Sequence, residues 1–193
     1  MAVVTAQFQA DGRVLRQTVG IATVVVVLAV YARLITLPAS PGTWVAVPFL
    51  VVLATTDWRV RRLPTPVVYA ALVGVLLADG LGAAFAHEGR FLTFGLLGML
   101  IEWAWWRLLK SHYQDQLGWG DVRLGALVGL VVGAWGLLAV LAALFFAMVS
   151  ASAYAIAKGV RYRLPLGTFL VAGALVVILL GPAPFAAPVG GWA

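Results

Sequence analysis

The sequence contains no cysteine, two histidines and few charged residues. Of its 193 residues, 10% are charged and 63% are hydrophobic. The lack of cysteine excludes disulfides, thiolate metal sites and a thiol nucleophile. His87 and His112 are too few and too far apart for a histidine-rich metal site. We therefore expect neither a metal ion nor a cofactor.

The shortage of charge also excludes a soluble globular domain. Such domains carry about 25% charged residues, whereas this chain has a mean hydropathy of +1.03. The composition predicts an integral membrane protein of one compact domain, with lipid as a partner. The net charge of +6 does not indicate a nucleic-acid partner, because the basic residues stand between apolar runs, where they act as topology signals.

Seven apolar runs predict an all-α membrane protein, a polytopic bundle of about seven transmembrane helices. About 20 apolar residues cross a bilayer, and a helix satisfies its own backbone hydrogen bonds in lipid. The predicted spans are Thr18–Leu37, Thr43–Thr56, Pro66–Ala86, Phe91–Leu109, Asp121–Trp135, Gly136–Ala157 and Leu166–Leu180. The fifth and sixth are nearly continuous, with a turn predicted near Ala134–Gly136. We divide this single domain into a tail and extra helix (1–42), a core (43–180) and an uncharged C-terminal tail (181–193).

Basic residues fall in every second connection of this arrangement. They precede span one, follow span two, and lie between spans four and five and between spans six and seven. They are Arg13, Arg16, Arg59, Arg61, Arg62, Arg107, Lys110, Arg123, Lys158, Arg161 and Arg163. By the positive-inside rule, these connections and the N-terminus are predicted to be cytoplasmic and the C-terminal tail external. Merging spans five and six would split this set, so the charges favour seven spans.

Two aspartates stand at the cytoplasmic ends of predicted spans. Asp57 ends span two and Asp121 begins span five. Carboxylates at such positions are costly and are therefore candidates for function. Gly125, Gly129 and Gly133 follow Asp121 at steps of four, so they share its helix face and allow a neighbouring helix to approach closely. We expect that face to point into the bundle.

The helix ends predict a difference between the two acids. Asp57 lies near a helix C-terminus, where the dipole disfavours negative charge, whereas Asp121 lies near an N-terminus, with N–H groups left accessible by Gly118 and Gly120. Two close carboxyls resist double ionisation. We predict that Asp57 holds a shared proton and that Asp121 is the ionised base. Such a pair activates water and protonates a leaving amide nitrogen, which is aspartyl peptide hydrolysis.

Simpler interpretations exist for each polar residue. Asp57 and Asp121 are alternatively boundary acids paired with Arg59 and Arg123. Asp79 and Glu102 are rival sites within spans, and we interpret Glu102 as a contact inside the bundle and Asp79 as hydrated near the outer surface. A further set is interpreted as an interfacial aromatic belt: Trp103, Trp105 and Trp106.

Three motifs occur in order along the chain: "DWRVRRLPT" (57–65), "GWGDVRL" (118–124) and "YRLPLGTFLVAGAL" (162–175). Together they resemble the type IV prepilin peptidases, a family of intramembrane aspartyl proteases. The first resembles that family's aspartate followed by basic residues and Ile-Pro-Asn. The second resembles its G-x-G-D-x-K-L motif, and the third is similar to its late loop and last helix. The resemblance covers most of the chain from about Val45 onward.

The resemblance implies that Asp57 and Asp121 are the catalytic pair of a peptidase core within residues 43–180. The supporting motif positions are Gly118, Gly120, Arg123, Arg59, Arg62 and Pro64. The implied substrates are prepilin-like proteins, cut after a short basic leader at the cytoplasmic face of the inner membrane. The implied role is in type IV pili, related secretion machinery or competence pili.

The chain departs from the family pattern at several positions. Arg123 stands where lysine is usual, and Leu63 and Thr65 replace isoleucine and asparagine. Leu166 and Thr168 replace phenylalanine and proline. Larger members carry a methyltransferase region with paired cysteines, which this cysteine-free chain lacks, so we expect cleavage without N-methylation, as in the short peptidase-only forms.

Two alternatives to this function are also considered. A protease of the signal-peptide-peptidase kind requires a Pro-Ala-Leu motif, and the sequence offers only "LPLG". A non-enzymatic membrane protein is either a small transporter using Asp79 and Glu102 or an inactive relative acting in pilus assembly. A transporter of inverted repeats would show matching halves, and an inactive relative would be expected to lack one aspartate. The sequence shows neither feature.

Overall fold

The protein is described from a computed structural model, in residues 27–37, 39–85, 89–113, 117–158, 164–182 and 185. Within these residues the chain forms seven α-helices, which confirms the predicted helical bundle. The helices are α1 (27–35), α2 (Pro41–Val60), α3 (Thr65–Phe85), α4 (Gly89–His112), α5 (Trp119–Gly133), α6 (Leu137–Lys158) and α7 (Leu166–Leu180).

Some sequence predictions fall on residues that lie outside the described ranges. These include the first half of span one, most of the C-terminal tail, and the individual residues Arg13, Arg16, His87, Arg161 and Arg163. Among the described helices, α3, α4 and α6 are each long and apolar enough to cross a membrane, and α7 is a shorter apolar helix. The chain is therefore a membrane protein.

Helix α2 extends beyond the predicted span at both ends. Ser40 caps its start, because the Ser40 hydroxyl accepts a hydrogen bond from the Thr43 N–H at 3.2 Å, and Pro41 fits the first helical position. At the other end the backbone turns left-handed at Arg61 (φ 53°), whose N–H donates to the Asp57 carbonyl at 2.8 Å. Asp57 thus lies inside the last turn of α2 rather than just after it.

Helix α5 is the central element of the bundle. It packs most extensively against α4 and also contacts α2, α3, α6 and α7. Every residue from Leu124 to Gly133 is buried. The first turn of α5, which carries the second aspartate motif, is the less buried end of this helix.

The glycines of α5 face α4 at very close range. A Cβ atom at Gly125 would collide with the indole ring of Trp106, and one at Gly129 would collide with the carbonyl oxygen of Gly98. A Cβ at Gly133 would lie 3.1 Å from the Gly98 Cα. The strip of small residues lets the two backbones approach more closely than side chains would allow.

The turn predicted near Ala134–Gly136 separates α5 from α6. Helix α5 ends at Gly133 and α6 begins at Leu137. Gly136 has φ of 113°, a conformation that glycine adopts without the steric cost borne by other residues. The glycine therefore permits the tight reversal between two otherwise continuous apolar runs.

Trp106 is a core residue, and its assignment to an interfacial belt is wrong. It is 1% exposed, whereas Trp103 and Trp105 are 46% and 43% exposed. Its Nε1 donates to the Glu102 Oε2 at 2.6 Å. The absence of a side chain at Gly125 makes the space that the indole fills. Glu102 is itself buried inside the bundle.

Asp79 is also buried, so its interpretation as a hydrated surface residue is wrong. Its side chain is 1% exposed, and Oδ1 accepts a hydrogen bond from the Gly42 N–H at 2.7 Å. Gly42 lies in the first turn of α2, where backbone N–H groups have no partner within the helix. The Asp79 carboxylate satisfies one of them and opposes the positive end of the helix dipole.

Candidate active site

The Asp57 carboxyl group is buried at the start of α7. Asp57 is 4% exposed, and its Oδ2 accepts a hydrogen bond from the Thr168 N–H at 2.9 Å. The Thr168 hydroxyl lies 3.4 Å from the same oxygen and 3.1 Å from the Ala54 carbonyl oxygen. Two helices distant in sequence, α2 and α7, are thus joined through one carboxylate.

The predicted electrostatic contrast between the two acids is wrong in one respect. Although the Asp57 backbone lies near the C-terminus of α2, its side chain reaches the N-terminus of α7. A Cβ atom at Gly167 would lie 2.9 Å from the Asp57 Oδ2, so the carboxylate rests directly on the first turn of α7. Helix N-termini favour negative charge. Asp57 therefore also receives the stabilisation that the sequence predicted for Asp121 alone.

Asp121 is the third residue of α5, and its side chain folds back onto the start of the same helix. Its Oδ2 accepts a hydrogen bond from the Gly118 N–H at 3.1 Å. Gly118 is the N-cap, with extended φ and ψ of −79° and 152°. Asp121 is partly exposed, and the Lys110 ammonium group acts on it electrostatically.

The fold brings the two aspartates together. The charge of Asp57 acts on the Asp121 carboxyl, so the two groups lie within electrostatic range of each other. Helices α2, α5 and α7 contact each other, and they carry Asp57, Asp121 and Thr168. Two ionised carboxyls at short range repel one another, so the pair favours a state that holds one proton.

The loop between α2 and α3 brings the two aspartate motifs into contact. A Cβ atom at Gly120 would lie 3.0 Å from the Leu63 Cβ, so the loop packs on the Gly120 backbone. Arg123 Nη1 donates to the Thr65 hydroxyl at 3.1 Å, and its guanidinium carbon lies 5.5 Å from the centre of the Tyr69 ring. The first turn of α5 is therefore fixed to the residues that follow Asp57.

The remaining motif positions lie around this pair without touching the carboxyls. Arg59 and Arg62 are exposed, and Arg61 is close enough to act on Asp57 electrostatically. The Pro64 carbonyl accepts from the Val67 N–H at 3.0 Å and so helps to start α3. Among the described residues, the Asp57 carboxylate accepts hydrogen bonds from Thr168 of α7, and the Arg123 guanidinium donates to the Thr65 hydroxyl. The alternative of two acids paired with arginines receives no support from these contacts.

A largely apolar groove of about 510 Å³ opens beside the second motif. It lies between α3, α4 and α5, and Val122 and Arg123, which follow Asp121 in the second motif, form part of its wall. Other lining residues are Tyr69, Leu72, Met99 and Trp103. Because its lining is mainly aliphatic and aromatic, the groove suits an apolar stretch of polypeptide.

The described side chains form no group of three or more histidine, aspartate or glutamate residues placed to hold a metal ion. The acidic centre instead consists of two carboxyls and their backbone donors. Sequence reasoning missed Thr168 and Gly167, which contact Asp57. Helix N-termini bind anions through their free backbone N–H groups, so the predicted helix start at Leu166 was the available signal.

Comparison with known families matches residues 44–156 to the Type IV leader peptidase family. The match covers more than half of the chain and includes both Asp57 and Asp121. Neither a curated protein nor a solved structure gives a significant match. The family predicted from the motifs is confirmed, and the chain belongs to the Type IV leader peptidase family.

Proposed function

We propose that the chain is an intramembrane aspartyl endopeptidase that removes the short basic leader from prepilin-like proteins. The observation that carries this proposal is that Asp57 and Asp121 lie within electrostatic range and that each accepts a backbone N–H at the start of a helix. The family match adds independent support for a leader peptidase. Both carboxyls also stand in the motifs that resemble the catalytic motifs of that family.

The proposed reaction uses one proton shared by two carboxyls. The ionised member takes a proton from a water molecule, whose oxygen attacks the scissile carbonyl carbon. The protonated member donates its hydrogen to the carbonyl oxygen as charge develops there. Collapse of the tetrahedral intermediate breaks the C–N bond and returns one hydroxyl hydrogen to the carboxyl that gave its proton, while the leaving nitrogen receives the proton that the other carboxyl took from water. The two carboxyls then again hold one proton between them.

We further propose the orientation of the reaction in the inner membrane. The basic residues next to α2, α4 and α5 support a cytoplasmic position for the helix ends that carry Asp57 and Asp121. In this arrangement all seven helices cross the membrane, with the N-terminus in the cytoplasm and the C-terminus outside. α5 and α7, at 15 residues each, would span a locally thin region or start below the headgroups.

The proposed substrates combine a basic leader with a following apolar helix. The groove beside Val122 and Arg123 offers an apolar surface next to the helix that carries Asp121, which suits a substrate that approaches from the lipid. Release of the leader without N-methylation is also proposed. The downstream role is assembly of type IV pili or related secretion systems.

The test is leader removal from a co-expressed prepilin, followed by immunoblotting and by mass spectrometry of the new N-terminus. Asp57→Asn and Asp121→Asn are each expected to abolish cleavage, because asparagine cannot exchange the proton. Asp79→Asn is the matched control, since Asp79 is also a buried aspartate but bonds to Gly42 at the start of α2, away from the pair. Undiminished cleavage in both Asp57→Asn and Asp121→Asn would refute the peptidase proposal.

A further inference from the structure

The contact between α2 and α7 assigns a role to Thr168. We propose that the first turn of α7, through Thr168, positions Asp57 and holds it as the ionised member of the pair. Asp57 is then the base that activates water, and Asp121 carries the shared proton. This inference rests on the proposed peptidase function and reverses the roles expected from sequence.

The first support is the chemistry of the donor. The Thr168 nitrogen lies 2.9 Å from the Asp57 Oδ2 and 3.1 Å from the Pro165 carbonyl oxygen. Its hydrogen is therefore shared between two acceptors, and the carboxylate is the closer one. A backbone N–H only donates, so it stabilises an oxygen that carries a lone pair and no proton. Hydrogen bonds of this kind favour the ionised form of a carboxyl group.

The second support is the Thr168 hydroxyl, which restrains the position of the carboxylate. It lies 3.1 Å from the Ala54 carbonyl, one turn before Asp57, and 3.4 Å from the Asp57 Oδ2. Whichever oxygen accepts its single hydrogen, the hydroxyl fixes α7 to the last turn of α2. With Oδ2 held in this way, Oδ1 is the Asp57 oxygen that takes the proton of the attacking water.

The third support is the contrast between the surroundings of the two acids. Among the described residues, one cation acts on each carboxyl, Arg61 on Asp57 and Lys110 on Asp121. The two carboxyls also act on each other. Both accept a backbone N–H, but the Gly118 donor lies 3.1 Å from Asp121 and belongs to the helix of Asp121 itself. The additional hydroxyl and the shorter N–H contact from α7 favour Asp57 as the ionised partner.

The experiment measures kcat/KM of the purified full chain on a prepilin peptide across pH. Thr168→Pro removes both donors at a position in the first helical turn, where proline is tolerated better than in a helix interior. Thr168→Ala keeps the N–H, Thr168→Ser keeps both groups, and Thr93→Val is a control because the Thr93 hydroxyl bonds only within α4. Thermal unfolding of each variant reports whether it is folded.

We expect the acid limb of the profile to move to higher pH by about one unit in Thr168→Pro, since hydrogen bonds to charged groups contribute roughly that much. Thr168→Ala is expected to move it less, and Thr168→Ser and Thr93→Val should match the wild type. The apparent pKa values of the two limbs belong to the coupled pair and not to either residue. The direction in which the acid limb moves is therefore the decisive result. A purely structural role would lower the rate at every pH alike.

Gly167→Ala gives a second route to the same contact. Its Cβ would lie 2.9 Å from the Asp57 Oδ2 and displace the carboxylate from α7, so the acid limb should again move to higher pH. This variant decides the outcome if Thr168→Pro does not accumulate in the membrane. An unmoved acid limb in the folded variants would overturn the role of α7. Failure of the wild-type chain to cleave would instead refute the peptidase proposal.

Discussion

Arg123 and Thr65 form a hydrogen bond that joins the two aspartate motifs, with Arg123 Nη1 donating to the Thr65 Oγ1 at 3.1 Å. Both positions depart from the family pattern, which has lysine and asparagine there. The longer, forked guanidinium group reaches the shorter threonine side chain and also covers the Tyr69 ring. The two departures from the family pattern therefore contact each other, and each side chain supplies the hydrogen-bond partner of the other.

This contact predicts that Arg123 and Thr65 contribute to stability as a pair. Arg123→Lys keeps the positive charge but loses the planar fork and its stacking on Tyr69. We expect the free energy of unfolding in detergent to fall by about 1 kcal/mol, with a smaller loss of leader removal. The measurement is chemical unfolding of the purified variant alongside the cleavage assay.

A double-mutant cycle tests the pairing itself. Thr65→Val and Arg123→Gln, alone and together, should show a coupling of roughly 0.5–1 kcal/mol. Thr55→Val serves as a control, because the Thr55 hydroxyl bonds to the Val52 carbonyl of its own helix. Strict additivity of Thr65→Val with Arg123→Gln would contradict a direct contribution from this hydrogen bond.

Gly125→Ala is predicted to destabilise the bundle. The new methyl group would collide with the Trp106 indole, because its carbon would lie 2.7 Å from the indole Nε1. The indole is buried and bonded to Glu102, so it has little freedom to move. Overpacking of this kind costs about 1–3 kcal/mol, and a lower midpoint of thermal unfolding would report it.

The control for this substitution is Gly80→Ala in α3. A Cβ atom at Gly80 meets nothing within 4 Å, and alanine is the better helix former, so this variant should be as stable as the wild type or slightly more so. Equal thermal midpoints for Gly125→Ala and Gly80→Ala would show that the close approach of α5 and α4 is not limited by the Trp106 ring.

Asp79→Ala is predicted to destabilise the start of α2. The substitution leaves the buried Gly42 N–H without its acceptor, which costs about 1–3 kcal/mol. Asp79→Asn keeps an acceptor oxygen at the same place and should retain most of the stability. Both are measured by thermal unfolding. If Asp79→Asn were as unstable as Asp79→Ala, the negative charge rather than the hydrogen bond would be the stabilising feature.

Helix positions were largely predictable because each apolar run ends at a residue that interrupts it. The break between α5 and α6 coincides with Gly136, and α3 follows Pro64. The end of α2 was less predictable, since the polar residues after Asp57 were assigned to the loop that follows span two. Their helical backbone continues to Val60 and stops only at the left-handed Arg61.

The packing of individual side chains was not predictable, because it depends on residues far apart in sequence. Asp79 resembles a surface residue until the Gly42 N–H is placed beside it. Trp106 resembles its exposed neighbours until the gap at Gly125 is placed against its ring. Neither contact leaves a periodic pattern within its own helix.

The acidic pair was proposed from sequence, whereas its setting was not. Asp57 and Asp121 stand out as carboxylates in an apolar chain, so composition and motif together identify them. The role of Thr168 depends on its backbone N–H, which nearly every residue type possesses. Only the fold shows that this N–H meets a carboxylate 111 positions earlier in the chain.

The hydrogen bond between Asp57 and Thr168 extends the proposed active site beyond the region that matches the family. The family match ends at residue 156, before α7 begins. A polypeptide trimmed to the matched region would keep both aspartates and lose the donor that holds one of them. Shuffling of segments between relatives would therefore have to exchange the final helix together with the end of the second, as a single inherited unit.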